Sequence, residues 1–298
     1  MDFLIYKIVY DISDVKIRDY LKYEKGLSSR FIKQASIERR IFVNEKSVKL
    51  NYYLKKNDEI KIKINRESES QNIEPIFMNL DIVYEDDFIL VLNKPPFIVV
   101  HPSKSYEISL ANGLMYYFNQ IGKGNIVRLV NRLDMNTSGL LVVAKNQFSH
   151  MALSKFMKDN VFKKTYLAIV NGNMKNVEGV IEKNIFRPTE DSVKRIVHET
   201  CGQYAKSIYK VLKSFDGCDL VEVSIETGRT HQIRVHMNYL GHGIIGDELY
   251  GFCCEGVDRQ LLHAYKIEFP HPYTNELLKF ECEMPKDMCE YLDNQNNL

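Results

Sequence analysis

The sequence predicts an α+β protein in two domains. Three observations support this. The 298 residues exceed one typical domain. A polar stretch without apolar periodicity, ESESQNIE at residues 67–74, is followed by Pro75 and reads as a linker. Beyond it, strand patterns outnumber helical ones and mostly do not alternate with them, which disfavours a doubly wound sheet. The expected layout is a small domain over 1–66, a linker over 67–76 and a larger domain over 77–298.

In the small domain, residues 3–10 are apolar and β-favouring. Residues 15–25 carry a helical pattern (Ile17, Tyr20, Leu21, Tyr23), with Asp14 placed to cap it and Gly26 to stop it. Ser28 is placed to cap a second helix bearing Phe31, Ile32 and Ala35. Ile41-Phe42-Val43 and Val48 to Leu50 flank Asn44-Glu45-Lys46 as strand, tight turn and strand. Residues 55–64 close the unit, with Ile60, Ile62 and Ile64 alternating against Lys61 and Lys63. In the larger domain, residues 81–92 are strand-like. Residues 139–144 form a continuous apolar run, as expected of a strand covered on both faces. Strands are expected over 166–170, 204–212 and 220–226, the last with Val221, Val223 and Ile225 alternating against Glu222, Ser224 and Glu226. Residues 149–159 suit a helix with Ala152, Leu153, Phe156 and Met157 on one side. Thr230 is placed to cap another that carries Ile233, Met237 and Leu240 and ends at Gly241.

Composition narrows the function classes. An apolar share of 45% and a charged share of 27% suit a globular chain with a core. No apolar run approaches the ~20 residues a bilayer requires, and the N-terminus lacks a secretory pattern. The expectation is a cytoplasmic protein that makes no membrane contact. The six cysteines include no CxxC pair, so a cysteine-based metal site is not expected. GxGxxG, GxxxxGK[ST] and HExxH are also absent. The net charge of +1 divides into +7 over residues 1–66 and −6 over the remaining 232. A basic first domain suits an anionic partner.

Asp134 lies in the segment VNRLDMNTSG (130–139), a loop of small polar residues that feeds the apolar strand. Such a place can hold a reactive carboxylate rigidly yet open to substrate, although turn and cap carboxylates are common there too. RLDxxTSGLL closely resembles the signature of the RluA family of pseudouridine synthases. Three further blocks resemble that family in order: Asn93-Lys94-Pro95 through His101-Pro102, Lys164 through Gly172 (KTYLAIVNG), and Thr227 through Met237 (TGRTHQIRVHM). A weaker block runs from Leu262-His263-Ala264 to His271-Pro272. Residues 26–64 resemble the small RNA-binding domain first described in ribosomal protein S-four, in which two helices and a β-hairpin present basic residues to RNA.

The resemblance implies a pseudouridine synthase fold with a mixed, mostly antiparallel sheet, and an isomerase acting on RNA. Ribosomal RNA of the large subunit is the first expectation and transfer RNA the second. It implies that Asp134 is the catalytic carboxylate. It further implies that Arg132 inserts into the RNA where the target uridine has swung out, that Tyr166 lies on the uracil face, and that Arg234 pairs with the carboxylate. Arg229 and His231 are expected to contact the substrate or brace the loop. Arg30, Lys33, Arg39, Arg40 and Lys46 would face RNA from the first domain. The isomerisation needs no net redox change or hydrolysis, so neither cofactor nor metal is expected, and the chain is expected to act as a monomer. A non-catalytic RNA-binding protein and an RNA glycosidase are the rival classes. Two positions depart from the family pattern: Asn131 stands where His is usual, and Phe97 where Gly is usual. Because Gly often serves positive φ, the second departure bears on the turn after Pro95-Pro96.

Overall fold

The structure is a computed structural model that describes residues 3–64, 71–103, 105–122, 126–251 and 253–296. The start of the expected linker, 67–70, lies outside the described residues; 71–76 has no regular secondary structure. The chain divides into two compact units, Met1–Glu69 with Asn146–Phe148, and Ser70–Lys145 with Ser149–Leu298.

The small unit contains β1 (Phe3–Lys7), a single helical turn α1 (Ile17–Asp19) that continues as a π-helix (Tyr20–Glu24), α2 (Ser29–Ile37), β2 (Ile41–Val43), β3 (Lys46–Ser47) and β4 (Glu59–Lys63). The strands form an antiparallel sheet in the order β1-β4-β2-β3. Ile60 and Ile62 are buried between their lysine neighbours, as the alternation predicts. Ser28 caps α2 by accepting a hydrogen bond from the Phe31 amide at 3.1 Å. Phe31, Ile32 and Ala35 form the buried face of that helix.

The first helix differs from expectation. Asp14 has φ +60° and lies outside it; Lys16 occupies the N-cap position. The winding widens to π from Tyr20. Ile17, Tyr20 and Leu21 are buried, whereas Tyr23 is exposed. The hairpin turn is two residues, Asn44 and Glu45, both at positive φ, so Lys46 opens the second strand instead of closing the turn.

The large unit comprises β5 (Ile82–Glu85), β6 (Ile89–Lys94), α3 (Leu110–Gln120), β7 (Arg128–Leu129), β8 (Ser138–Ala144), α4 (Gln147–Lys158), β9 (Lys163–Asn171), β10 (Glu178–Glu182), β11 (Asn184–Phe186), β12 (Ile196–His198), β13 (Lys206–Phe215), β14 (Cys218–Ile225), α5 (Gln232–Tyr239), β15 (Leu262–Pro270), β16 (Leu277–Glu281) and α6 (Lys286–Asn296). A ten-stranded mixed sheet runs β10-β13-β14-β9-β15-β8-β6-β5, with β16 added to β15 and β7 to β8. The β8–β15 pair is parallel and the others are antiparallel. β11 and β12 form a separate hairpin.

Side-chain alternation explains the apolar runs. On β9, Tyr166, Ala168 and Val170 join a core with Leu114, Met115 and Phe118 of α3 and Ile233 and Met237 of α5. Leu167 and Ile169 face the opposite way, against Met288 and Leu292 of α6. A strand covered on both sides needs no polar face. All seven residues of β8 are buried. Gly139 has φ +109°, and a β-carbon there would overlap the carbonyl of Ala264 on β15. Only glycine permits this backbone approach, which seats the start of β8, and with it the preceding loop, against the sheet.

Candidate active site

Asp134 sits between β7 and β8, in a loop fastened from several sides. Its carbonyl accepts from the Thr137 amide at 3.1 Å. Asn131 is buried; its side chain accepts from the Val142 amide at 2.8 Å and donates to the Leu140 carbonyl at 3.3 Å. The departure from His therefore leaves the loop tied to β8 by an amide. Lys94 is fully buried, and its ammonium donates to the carbonyls of Pro95, Ile98 and Met135 at 2.7, 3.0 and 2.9 Å. Burial, and then the charge of Arg259, pull it down to about 7. Arg259 donates to the Asn136 carbonyl at 3.0 Å and forms a two-point ion pair with Asp287 at 2.6 and 2.9 Å. Phe97, where the sequence raised the question of a glycine, has φ +66° with its ring exposed. The turn forms with phenylalanine in the left-handed region.

Arg234 comes from α5. It is 7% exposed and uses two nitrogens on the carboxylate of Asp247, at 2.7 and 2.8 Å. A third nitrogen reaches Asp134 at 3.0 Å. Burial works against the guanidinium charge, but Asp247 and then Asp134 outweigh it and hold the group more firmly protonated than usual. Asp247 is itself buried and accepts from the amides of Leu249 and Tyr250 at 3.2 Å each. The Tyr250 ring lies under the Arg234 guanidinium, 5.1 Å from its centroid, and its hydroxyl bonds to His231 Nδ1 at 2.9 Å. The far nitrogen of His231 is 3.8 Å from Asp134. Burial lowers the His231 pKa against the opposing pull of Asp134, so at neutral pH the imidazole is chiefly uncharged.

The expected cap at Thr230 is corrected here: His231 is the N-cap, at φ +58°, and the helix starts at Gln232. The buried Gln232 side chain performs the bracing. It accepts from the Arg229 amide (3.1 Å) and Thr227 Oγ1 (2.8 Å) and donates to the Lys206 carbonyl (2.9 Å) and Ser207 Oγ (3.0 Å). Gln232 ties the segment ahead of the helix to β13 without capping the helix itself, and His231 stands in a sparsely populated conformation beside Asp134.

These groups surround a cavity of about 490 Å³, lined by Arg132, Asp134, Lys164, Tyr166, Arg229, His231 and Arg234, with Val100, Leu133, Ile225, Ile233 and Leu262 as apolar wall. That volume lies within the range of small-molecule sites. Tyr166 is buried on β9; burial, and then the charge of Asp134, raise its phenol well above the usual range, so it stays protonated. Its hydroxyl has no hydrogen-bond partner among the described residues. Lys164 is also buried, and burial lowers it to about 8. Arg132 is exposed, and Arg229 donates to the Tyr204 carbonyl at 3.0 Å. The structure thus brings together Arg132, Asp134, Tyr166, Arg229, His231 and Arg234 around one opening. Sequence reasoning missed Asp247, Tyr250, Lys94 and Arg259 as supports. The one signal for Asp247 is an acid set directly after the apolar pair Ile244-Ile245 and Gly246.

In the small unit, Arg30, Lys33, Arg39 and Lys46 are exposed. Arg40, expected beside them, is corrected: it is 6% exposed, pairs with Glu38 at 2.7 Å, and donates to the carbonyls of Lys63 and Ile64. Its guanidinium joins the end of α2 to the end of β4 and is not presented to a partner. Among the described residues, no group of three or more His, Cys, Asp or Glu could hold a metal ion, and no helix is long and apolar enough to cross a membrane.

Comparison with known proteins places the chain. The profile of the RNA pseudouridylate synthase family matches residues 88–239. The chain is 37% identical over 276 residues to the uncharacterised RNA pseudouridine synthase YjbO of Bacillus subtilis (strain 168), covering 92% of this chain and 97% of that one. It is 34% identical over 283 residues to ribosomal large subunit pseudouridine synthase D of Neisseria meningitidis (serogroup A), covering 91% and 74%. Among solved structures, human RNA pseudouridylate synthase domain containing 1 superposes with a TM-score of 0.57 at 27% identity, over 72% of this chain and 86% of that one. The chain belongs to the RluA-type family of RNA pseudouridylate synthases, and it is an isomerase that converts uridine to pseudouridine in RNA.

Proposed function

We propose that the enzyme modifies uridines of large-subunit ribosomal RNA and that Asp134 is its catalytic carboxylate. The observation that carries this reading is the placement of one guanidinium, Arg234, between the buried Asp247 and the cavity-facing Asp134. Both nucleophilic and general-base roles require an ionised acid, and the fixed Arg234 guanidinium donates a charge-assisted hydrogen bond to Asp134 at 3.0 Å. In the reaction the bond from ribose C1′ to N1 of uracil breaks, a bond from C1′ to C5 forms, the C5 proton leaves and N1 takes up a proton, so that the product is an isomer of the substrate. Asp134 has three open roles: attack on the ribose, addition to the base, or removal of a ribose proton.

The neighbouring residues take the remaining tasks. Tyr166, protonated and without a protein partner for its hydroxyl, lies against the uracil face and assists the C5 proton transfer. Extruding the uridine costs a few kcal/mol. Arg132, exposed at the opening, offsets this by filling the vacated place, where a planar guanidinium can stack and bind phosphate. Arg229 and His231 position the substrate. Residues 1–66 act as an RNA-binding domain of the ribosomal protein S-four type, presenting Arg30, Lys33, Arg39 and Lys46; a linker over 67–76 leads to the catalytic domain, 77–298. The name of the meningococcal relative supports the ribosomal target. The proposed setting is a monomer in the cytoplasm.

Tritium release from RNA labelled at uridine C5 tests the substrate. Large-subunit ribosomal RNA and transfer RNA, each from cells lacking the enzyme, are offered separately. Release from the ribosomal RNA with none from the transfer RNA is expected, and the reverse result overturns the assignment.

A further inference from the structure

A second cavity, of about 350 Å³, adjoins the first and shares Arg229 and Thr230 with it. Its remaining lining is Ile185, Phe186, Arg187, Arg195, Gly202 and Gln203. Three of these eight residues are arginines and none is acidic. That stands out in the portion of the chain beyond residue 66, which carries a net charge of −6.

Arg187 is exposed and Arg195 and Arg229 are half-buried, and all three keep donors free. Arg195 is half-buried; it donates to the carbonyls of Ser192, Val193 and Lys194 at 2.6, 2.9 and 3.4 Å, and its amide donates to the Tyr250 hydroxyl at 2.9 Å. Arg187 donates through Nε to the Ser192 carbonyl at 3.0 Å, and Arg229 through Nε to the Tyr204 carbonyl. Among the described residues, none of the three forms an ion pair, and the η nitrogens of Arg187 and Arg229 have no hydrogen-bond partner. Carbonyls fix the direction of these guanidinium groups without neutralising them. Gly202 opens the floor: a β-carbon there would collide with the Ile185 backbone. The Tyr250 hydroxyl that receives the Arg195 amide also bonds His231, so this cavity and the Asp134 network share one support.

We propose that this second cavity is a phosphate site, which binds a backbone phosphodiester of the RNA strand next to the uridine seated beside Asp134. The inference rests on the RNA-modifying activity of the first cavity and adds where the flanking strand runs. Guanidinium η nitrogens match phosphate oxygens in pairs. The common wall of Arg229 and Thr230 lets one strand occupy both cavities.

The test is the salt dependence of RNA binding, because each phosphate contact on a single strand contributes about 0.7 to the slope of log K against log salt. Binding of C5-tritiated RNA from cells lacking the enzyme is measured between 0.05 and 0.5 M KCl for wild type, Arg187→Gln, Arg187→Lys, and Arg187→Gln with Arg195→Gln. The expected result is a slope about 0.7 shallower for Arg187→Gln, corresponding to about fivefold weaker binding at 0.1 M salt. Arg187→Lys should keep the wild-type slope, and the double variant should lose about twice as much. Slopes equal to wild type in both glutamine variants, with melting temperature alone lowered, would mean that the arginines only brace the hairpin, and this overturns the proposal. Tritium release by wild-type enzyme in the same preparation reports the first cavity independently, so failure of one reading is distinguishable from failure of the other.

Discussion

The charges beside Asp134 and the charges on the small unit are held in opposite ways. Around the cavity, Arg234 is locked by Asp247, Arg259 by Asp287, and Lys94 by three carbonyls. On the small unit, Arg30, Lys33, Arg39 and Lys46 extend into solvent, and of the five basic residues considered there only Arg40 is locked inward. A fixed charge defines a position to a fraction of an ångström, which chemistry needs. A loose charge contributes attraction that tolerates many geometries, which suits a polyanion.

The strongest challenge to this comparison is Arg234→Gln. It leaves two carboxylates, one fully buried, without their cation. Breaking a buried pair costs about 3–5 kcal/mol, and loss of the fixed donor at Asp134 should lower single-turnover rate by about 10²–10³-fold. Urea unfolding and quenched tritium release measure the two effects. Arg234→Lys should recover little, because an ammonium cannot hold two carboxylates in a planar fork. Unchanged turnover would remove the distinction between locked and loose charge.

Arg39 and Arg40 give the same contrast between adjacent residues. Arg40→Met should destabilise the protein by about 2–3 kcal/mol, since it leaves carbonyls of β4 and its edge without a donor. Arg39→Met should stay within about 0.5 kcal/mol. Thermal melts of the two variants decide it; equal shifts contradict the placement.

Lys164 sharpens the boundary, being locked by burial but without an anion. Its pKa is lowered from 10.5 to about 8 by burial. Folding therefore disfavours its charged form, and the protein gains stability as pH rises from about 8 toward 10.5, where the unfolded chain still binds the proton. RNA affinity moves the other way if the cavity's lysine meets an anionic or carbonyl oxygen. It should weaken by about tenfold between pH 7 and 9 in wild type and by less in Lys164→Met, measured by fluorescence anisotropy. The smallest effect belongs to the small unit. Arg30→Gln and Lys46→Gln should each reduce the salt slope of RNA binding by about 0.7 and leave the melting temperature nearly unchanged.

Local pattern was legible where one element decides its own structure. The Ser28 cap, the alternation of Ile60 and Ile62, and the fully buried β8 were all visible in neighbouring residues. Pairings created by topology were not. Asp134 and Arg234 are a hundred residues apart, and their proximity entered only through resemblance to a family. Asp247 lies thirteen residues beyond Arg234, in a loop whose spacing carries no periodic signal. Which arginine of the Arg39-Arg40 pair turns inward depends on the positive φ of Arg39 at the end of α2, and side-chain type does not encode that. β15 carries a strand alternation, Ile267 and Phe269 against Lys266 and Glu268, but its partners β8 and β9 lie far along the chain and no local pattern names them; nor does side-chain type show that the helix begins at Gln232 and not directly after Thr230.

The proposed role of the Asp134 carboxylate in the isomerisation stands or falls on turnover without it. The most direct measurement is single-turnover pseudouridine formation by Asp134→Asn with enzyme in excess over RNA. The asparagine keeps the shape and can still face Arg234. No pseudouridine above background is predicted, with RNA still bound. Formation at the wild-type rate would contradict the account.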